Sequence, residues 1–322
     1  MTLAYPTRTT AKPTNTALLL FAVVALASTT PLTRASAQVL PRFNAHDIDT
    51  MTVKMPGERI SYGLDSLQFG VLRMPSGTKG PFPVAIVVHG GCYLSSYASL
   101  TNTSPLADAL TAGGIATWNV EYRRYDNPGG GWPNTFDDVA KAADYLRTIK
   151  ASHNIDLTRV ITIGHSAGGQ LALWLASRST RPTAASPHPI HIDGVVALGP
   201  IVDMREYQKR QLLTCGNPGI EAVLGGMPDS VPERLHAVSP IDLLPLRVPA
   251  VLIAGSDDGI APVAVLENYA RHARSAGDSV EIVTPPGESH FDAIAPMRGG
   301  GKAAISAALR LTAKPIGPRK KP

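Results

Sequence analysis

RVITIGHSAGGQLALWLASR, from Arg159 to Arg178, changes its character within a few residues. Val160 to Ile163 is a short β-branched run, the pattern of a buried strand, and Gln170 to Arg178 reads as a helix. Between them lies Gly164-His165-Ser166-Ala167-Gly168, a G-x-S-x-G turn. A serine at a sharp strand-to-helix corner adopts a strained backbone and needs neighbours without a Cβ on either side. Gly164 and Gly168 supply that clearance, and Gly169 lets the helix approach the strand. The corner would present the Ser166 hydroxyl at a helix N-terminus, where the dipole favours developing negative charge. A bare G-x-S-x-G carries little weight, but the strand before it and the helix after it favour a nucleophile over an incidental turn serine.

The same alternation extends outward in both directions. Upstream, Pro83–Val88 and Ile115–Tyr122 read as strands, with helices expected over 104–112 and 135–150. Downstream, Gly194–Leu198, Val248–Ala254 and Val280–Thr284 read as strands, with helices over 262–275 and 302–312. Ile48–Met55 and Leu64–Met74, on either side of Pro56-Gly57, read as an antiparallel pair at a sheet edge. Strands alternating with helices predict an α/β fold with a mostly parallel sheet covered on both faces. Residues 204–240 break the rhythm, being rich in Gly, Pro and charge, and are expected to be a small lid-like insertion after the strand ending near Leu198.

In such a sheet, ligands bind beyond the carboxyl ends of the strands. The chemistry-bearing residues fall there. A serine hydroxyl needs a base within reach and a carboxylate to orient that base. His290, in Gly287-Glu288-Ser289-His290-Phe291, follows the strand ending at Thr284 and is the candidate base; His165 reads as a shoulder beside the serine. For the carboxylate, Asp258 and Asp257 compete after the strand ending at Ala254, and Asp203 is a third candidate. His89-Gly90-Gly91-Cys92 follows the strand ending at Val88. Its glycines would let backbone N–H groups approach a developing oxyanion, with Ala167 as a second donor. Tyr93, Trp132 and Tyr207 are the expected substrate contacts.

With these motifs together, the mature chain resembles the α/β-hydrolase superfamily. It is most similar to the bacterial esterase and lipase-like group with an HGG oxyanion motif, related to carboxylesterases and arylformamidases. The resemblance implies Ser166 as nucleophile, His290 as base, and Gly90, Gly91 and Cys92 as the oxyanion loop. In the family's G-x-x-D-x-x-x-P run the acid stands four residues before a proline, which favours Asp258 over Asp257. The family usually has Gly or Tyr after HGG, whereas this chain has Cys92. The implied activity is hydrolysis of small-molecule carboxylic esters through an acyl-enzyme, without metal or organic cofactor. Arylformamidase or peptidase chemistry, and a catalytically dead scaffold acting as a binding protein, are the alternative readings.

Composition bounds the rest. The chain has 322 residues, 44% hydrophobic and 17% charged, enough apolar material for one large core. Arg8 and Lys12 precede an eleven-residue apolar run, Ala17 to Ala27, and Ala35-Ser36-Ala37 follows. That run is short of the roughly twenty residues a membrane span needs. The pattern predicts a secretory signal peptide over 1–37, cleaved near Ala37, and a secreted or periplasmic domain over 38–322 without stable membrane insertion. Arg8, Lys12 and Arg34 would leave with it, so the formal net charge of +5 falls to +2 and gives no case for a nucleic-acid partner. The basic end, 314–322, reads as a disordered tail. Export permits a Cys92–Cys215 disulfide, two free thiols being the other reading.

Overall fold

Near-continuous apolar runs give the central strands two buried faces, and both find a cover. The computed structural model describes residues 41–77, 79–181 and 186–313, all within the compact unit 39–322. The described strands are β1 (Glu58–Ser61), β2 (Phe69–Arg73), β3 (Phe82–Val88), β4 (Ala116–Val120), β5 (Ile155–His165), β6 (Gly194–Leu198), β7 (Ala250–Ile253) and β8 (Val280–Val283). They form one eight-stranded sheet in the order β1-β2-β4-β3-β5-β6-β7-β8. β1 and β2 pair antiparallel, as do β2 and β4; every pairing from β4 through β3 to β8 is parallel.

The helices, in chain order, are α1 (Ala45–Asp49), α2 (Ser104–Ala112), α3 (Asn134–Asp144), α4 (Leu146–Ile149) and α5 (Ala167–Ser177). They continue with α6 (Met204–Gln208), α7 (Gln211–Thr214), α8 (Gly219–Leu224), α9 (Pro232–Val238), α10 (Val263–Ser275) and α11 (Gly299–Thr312). Val84, Ile86, Leu252 and Ala197 share one apolar cluster with Phe136 and Val139 of α3, Leu171 of α5 and Leu266 of α10. Ala85, Val87, Val251 and Val196 point the other way, onto Ile48 of α1, Leu106 and Leu110 of α2, and Ala304 and Ala308 of α11. The period of two along each strand thus divides the core into two layers. All eleven residues of α5 are buried, which explains why this helix is apolar all round.

Two local expectations need correction. Ile48–Met55 is not a strand: Asn44 accepts the Asp47 N–H at 3.1 Å while Asp47 accepts the Asn44 N–H at 2.8 Å, a reciprocal box that starts helix α1. The antiparallel edge pair exists, but its first strand is Glu58–Ser61. The expected helix over 135–150 is interrupted at Tyr145 between α3 and α4. The insertion between β6 and β7 consists of α6 to α9, each of seven residues or fewer. Among the described residues, no helix is long and apolar enough to cross a membrane. The signal-peptide stretch and the basic tail lie outside the described residues.

Candidate active site

Ser166 stands at the junction of β5 and α5 with φ 55° and ψ −120°, left-handed for a residue with a side chain. The backbone around it holds the corner. Its N–H donates to Leu198 C=O at 2.8 Å, and its C=O accepts from Gly169 at 2.9 Å and Gln170 at 3.2 Å. The flanking glycines are required by close backbone approach. A Cβ on Gly164 would sit 2.0 Å from Gly168 O, and one on Gly168 would sit 2.2 Å from Val88 O and 2.3 Å from His89 O. Gly168→Ala is therefore expected to cost about 1–3 kcal/mol or more, since backbone must move to admit the methyl. Gly259→Ala is the control, because a methyl there would meet nothing within 4 Å. Urea unfolding of both variants checks this; equal midpoints would contradict it.

His290 lies beyond β8, its Nδ1 2.9 Å from Oδ2 of Asp258, and both residues are buried. Asp258 Oδ1 accepts the N–H groups of Ile260 at 2.9 Å and Ala261 at 2.8 Å. Burial pushes the Asp258 carboxyl up, but His290 and these two N–H groups outweigh it and hold it below its usual range. The competing aspartates go elsewhere. Asp203 caps α6 through Glu206 N–H, and Asp257 pairs with Arg42 and Ser256. Gly199, with φ 50° at the end of β6, leaves room for the pair: a Cβ there would be 2.8 Å from the His290 ring and 3.0 Å from Asp258 Oδ2.

The His290 loop is braced from both sides. Glu288 accepts the first N–H groups of α11, from Gly299 at 2.6 Å and Gly300 at 2.8 Å, satisfying donors that a helix start leaves orphaned. Asp292 accepts the Ser289 N–H at 2.8 Å and hydroxyl at 2.7 Å, and pairs with Arg298. His165 adds a third brace, its Nε2 3.1 Å from the His290 carbonyl. That oxygen can only accept, so Nε2 carries the proton. Burial, aided by neighbouring His290, lowers the His165 imidazole to about 3, and the ring is neutral.

A stability consequence follows for His165. An unfolded histidine takes up its proton near about 6.5. The folded ring resists until about 3. Between these values the unfolded state binds more protons, so stability falls as pH drops, by at most about 1.4 kcal/mol per pH unit for this group. Urea midpoints measured from pH 6.5 to 5, where ordinary carboxylates stay ionised, should fall in the parent and fall less in His165→Gln. Equal slopes would contradict the assignment.

The loop after β3 turns sharply, with φ 98° at Gly91, 53° at Cys92 and 58° at Tyr93. It passes close to the serine: a Cβ on Gly90 would be 2.6 Å from His165 O and 2.9 Å from Ser166 Cβ. The N–H groups of Gly91, Cys92 and Ala167 donate to no acceptor among the described residues. Beneath the loop, His89 Nε2 meets Glu121 Oε1 at 2.9 Å and its ring stacks on Tyr122 with centroids 4.4 Å apart. Glu121 also pairs with Arg124. Burial raises the Glu121 carboxyl, yet His89, Arg124 and the Tyr122 N–H pull it down to about 2. Sequence reasoning missed this anchor, although the charged residues Glu121, Arg123 and Arg124 just past the buried strand β4 were its signal.

A cavity of about 480 Å³ opens over these groups. Ser166, His165, His290, Gly91 and Cys92 line it from the sheet side, and Thr214, Cys215 and Gly216 from the insertion. Ser166 Oγ has no hydrogen-bond partner among the described residues. The three expected aromatic contacts are absent from this lining, which is a correction. Tyr93 is buried and donates its hydroxyl to Gln170 at 2.9 Å; Tyr207 is buried against Cys215 and Thr214; Trp132 packs at a tilt against Phe136. The aromatic wall comes instead from Tyr97 and Phe291. Cys92 and Cys215 are joined in a disulfide.

Comparison with known proteins places this geometry in context. The BD-FAE family model matches residues 72–269. A curated relative in Oryza sativa subsp. japonica, named "Probable isoprenylcysteine alpha-carbonyl methylesterase ICME", is 23% identical over 239 residues. That match covers 71% of this chain and 57% of the relative. Among solved structures, a truncated carbohydrate esterase from gut microbiota superposes with a TM-score of 0.66 at 22% identity, covering 80% of this chain and 95% of that one. Thermogutta terrifontis esterase 2 phosphonylated by sarin gives 0.64 at 20% identity, covering 80% and 94%. The fold is that of the α/β-hydrolases.

Proposed function

The chain belongs to the BD-FAE family, and we propose that it is a serine esterase that hydrolyses small-molecule carboxylic esters through an acyl-enzyme on Ser166. The observation that carries this reading is one cavity lined by both Ser166, held at φ 55°, and His290, whose Nδ1 is 2.9 Å from the buried carboxylate of Asp258. In the proposed reaction Ser166 Oγ attacks the ester carbonyl carbon as His290 Nε2 takes the hydroxyl proton. The carbonyl oxygen becomes an oxyanion facing the N–H groups of Gly91, Cys92 and Ala167, which give no bond to the protein. As the tetrahedral adduct collapses, His290 returns the proton to the leaving alcohol. Water, deprotonated by the same ring, then releases the acid and restores the serine. Asp258 keeps the Nδ1 proton in place and stabilises the imidazolium.

Export is part of the proposal. Its support is the basic flank at Arg8 and Lys12, the apolar run Ala17–Ala27, the A-x-A at residues 35–37 and a disulfide suited to an oxidising compartment.

The test is labelling with a fluorophosphonate followed by peptide mapping, beside a panel of p-nitrophenyl esters of rising chain length, N-formylkynurenine and a peptide amide. Modification of Ser166 with fastest turnover on an ester supports the reading. Faster turnover of the formamide or the peptide would assign the site to amide chemistry instead. An unlabelled Ser166 with no turnover would leave a binding scaffold.

A further inference from the structure

Gly91, Cys92 and Tyr93 are three consecutive residues in the left-handed region, and two of them carry side chains. Such residues cost free energy and persist only where the surroundings hold them. Gly91 is held through its C=O, which accepts Leu94 N–H at 2.8 Å. Tyr93 is held through its C=O, which accepts Tyr125 N–H at 3.2 Å, and through its buried hydroxyl on Gln170. Cys92, between them, neither donates nor accepts a hydrogen bond among the described residues. It packs against the core and its carbonyl lies close to Gly219, but its one directional tie beyond the chain itself is the disulfide to Cys215, 123 residues away.

Cys215 is a firm post. Its N–H donates to Gln211 C=O at 2.7 Å, and its C=O accepts Tyr97 Oη at 2.6 Å and Asn217 Nδ2 at 2.9 Å. Its sulfur lies 2.9 Å from the Tyr207 hydroxyl, which donates because a disulfide sulfur has no proton. The helices on either side, α7 and α8, have four and six residues, too short to be stable alone. Both bridged cysteines line the cavity that contains Ser166.

We propose that Cys215 is a positioning residue for ester hydrolysis: through its bond to Cys92 it aims the Cys92 N–H at the oxyanion and fixes residues 214–216 as a wall of the cavity. The inference rests on the esterase reading above. Because the oxyanion exists only after attack, loosening its donor should slow the chemical step more than it weakens substrate binding.

The experiment compares the oxidised full-length enzyme with Cys215→Ala and with the Cys92→Ala/Cys215→Ala double variant, on p-nitrophenyl acetate below their melting temperatures. Loss of one oxyanion donor costs about 100-fold or more in kcat, so partial misalignment should cost about tenfold or more, with KM moving less than about threefold. The double variant should be no slower than the single one, since both remove one bond. Opening the bridge with a phosphine, two thiols confirmed by titration, should reproduce the loss in the parent, be undone by reoxidation and leave the double variant unaffected. That arm reads the same quantity if a variant fails to fold. A lowered melting temperature with parental kcat, or a change in KM alone, would overturn the inference while leaving the esterase reading intact. A parent enzyme with neither fluorophosphonate labelling nor turnover would overturn both.

Discussion

Ser166→Ala is expected to fold as the parent does and to lose kcat on the order of 10⁶-fold, the scale seen when a triad nucleophile is removed from a serine hydrolase. The two halves of this expectation have separate causes. The corner is held by the serine backbone, through Leu198, Gly169 and Gln170, and alanine makes those same bonds. The hydroxyl itself has no partner among the described residues, so its loss orphans nothing, and the change in stability should stay within about 0.5 kcal/mol. The rate should collapse because, of the hydroxyls in the lining, only Ser166 stands at the strand-to-helix corner: Tyr97 is held on the Cys215 carbonyl, Thr214 on Tyr207 and Arg210, Ser96 lies outside that corner, and the two cysteines are bridged to one another. Steady-state rates with enzyme quantified by absorbance, alongside a thermal melt, check both halves. A variant retaining a hundredth of the parental rate would remove Ser166 from the chemistry.

Asp258→Asn is expected to reduce kcat by about 10⁴-fold with little change in shape, through the position of one proton. Oδ1 of Asp258 accepts two backbone N–H groups, from Ile260 and Ala261. An asparagine must therefore keep its oxygen on that side, and its NH₂ takes the place of Oδ2, 2.9 Å from His290 Nδ1. An NH₂ donates, so Nδ1 becomes the acceptor and the ring proton moves to Nε2. The nitrogen that should take the serine proton is then already protonated. The pH dependence has a defined sign as well. A carboxyl held below its usual range stabilises the fold above its unfolded value and loses that contribution as pH falls through its folded value. Asp258→Asn should lack this share of the acid destabilisation. The check is kcat beside the imidazole proton signals of His290, and parental activity with an Nε2-protonated ring would refute the argument.

Much of this arrangement could be read along the chain. The alternation of apolar runs and amphipathic helices implied the parallel sheet, because strand and helix periodicities are local properties of neighbouring residues. G-x-S-x-G and HGG were legible for a similar reason, since each is one turn whose glycines answer a steric need within a few residues. The order Ser166, Asp258, His290 and their places after strands could also be read. The first helix was misread because the capping pair Asn44 and Asp47 was passed over in favour of the apolar residues that follow. The aromatic contacts were misplaced because position after a strand says nothing about which way a ring points. Tyr93 turned inward to Gln170, and the exposed wall fell to Tyr97.

The residue types and their short spacings determined the α/β class, the strand-to-helix corner at Ser166 and a short list of candidate partners, since backbone sterics and apolar periodicity act between near neighbours. Which aspartate meets His290, what anchors His89, how Glu288 ties the histidine loop to α11 and where Cys215 meets Cys92 were decided only in three dimensions. These contacts join residues between 11 and 123 positions apart, and sheet order, loop path and burial select among candidates that the chain presents as equals.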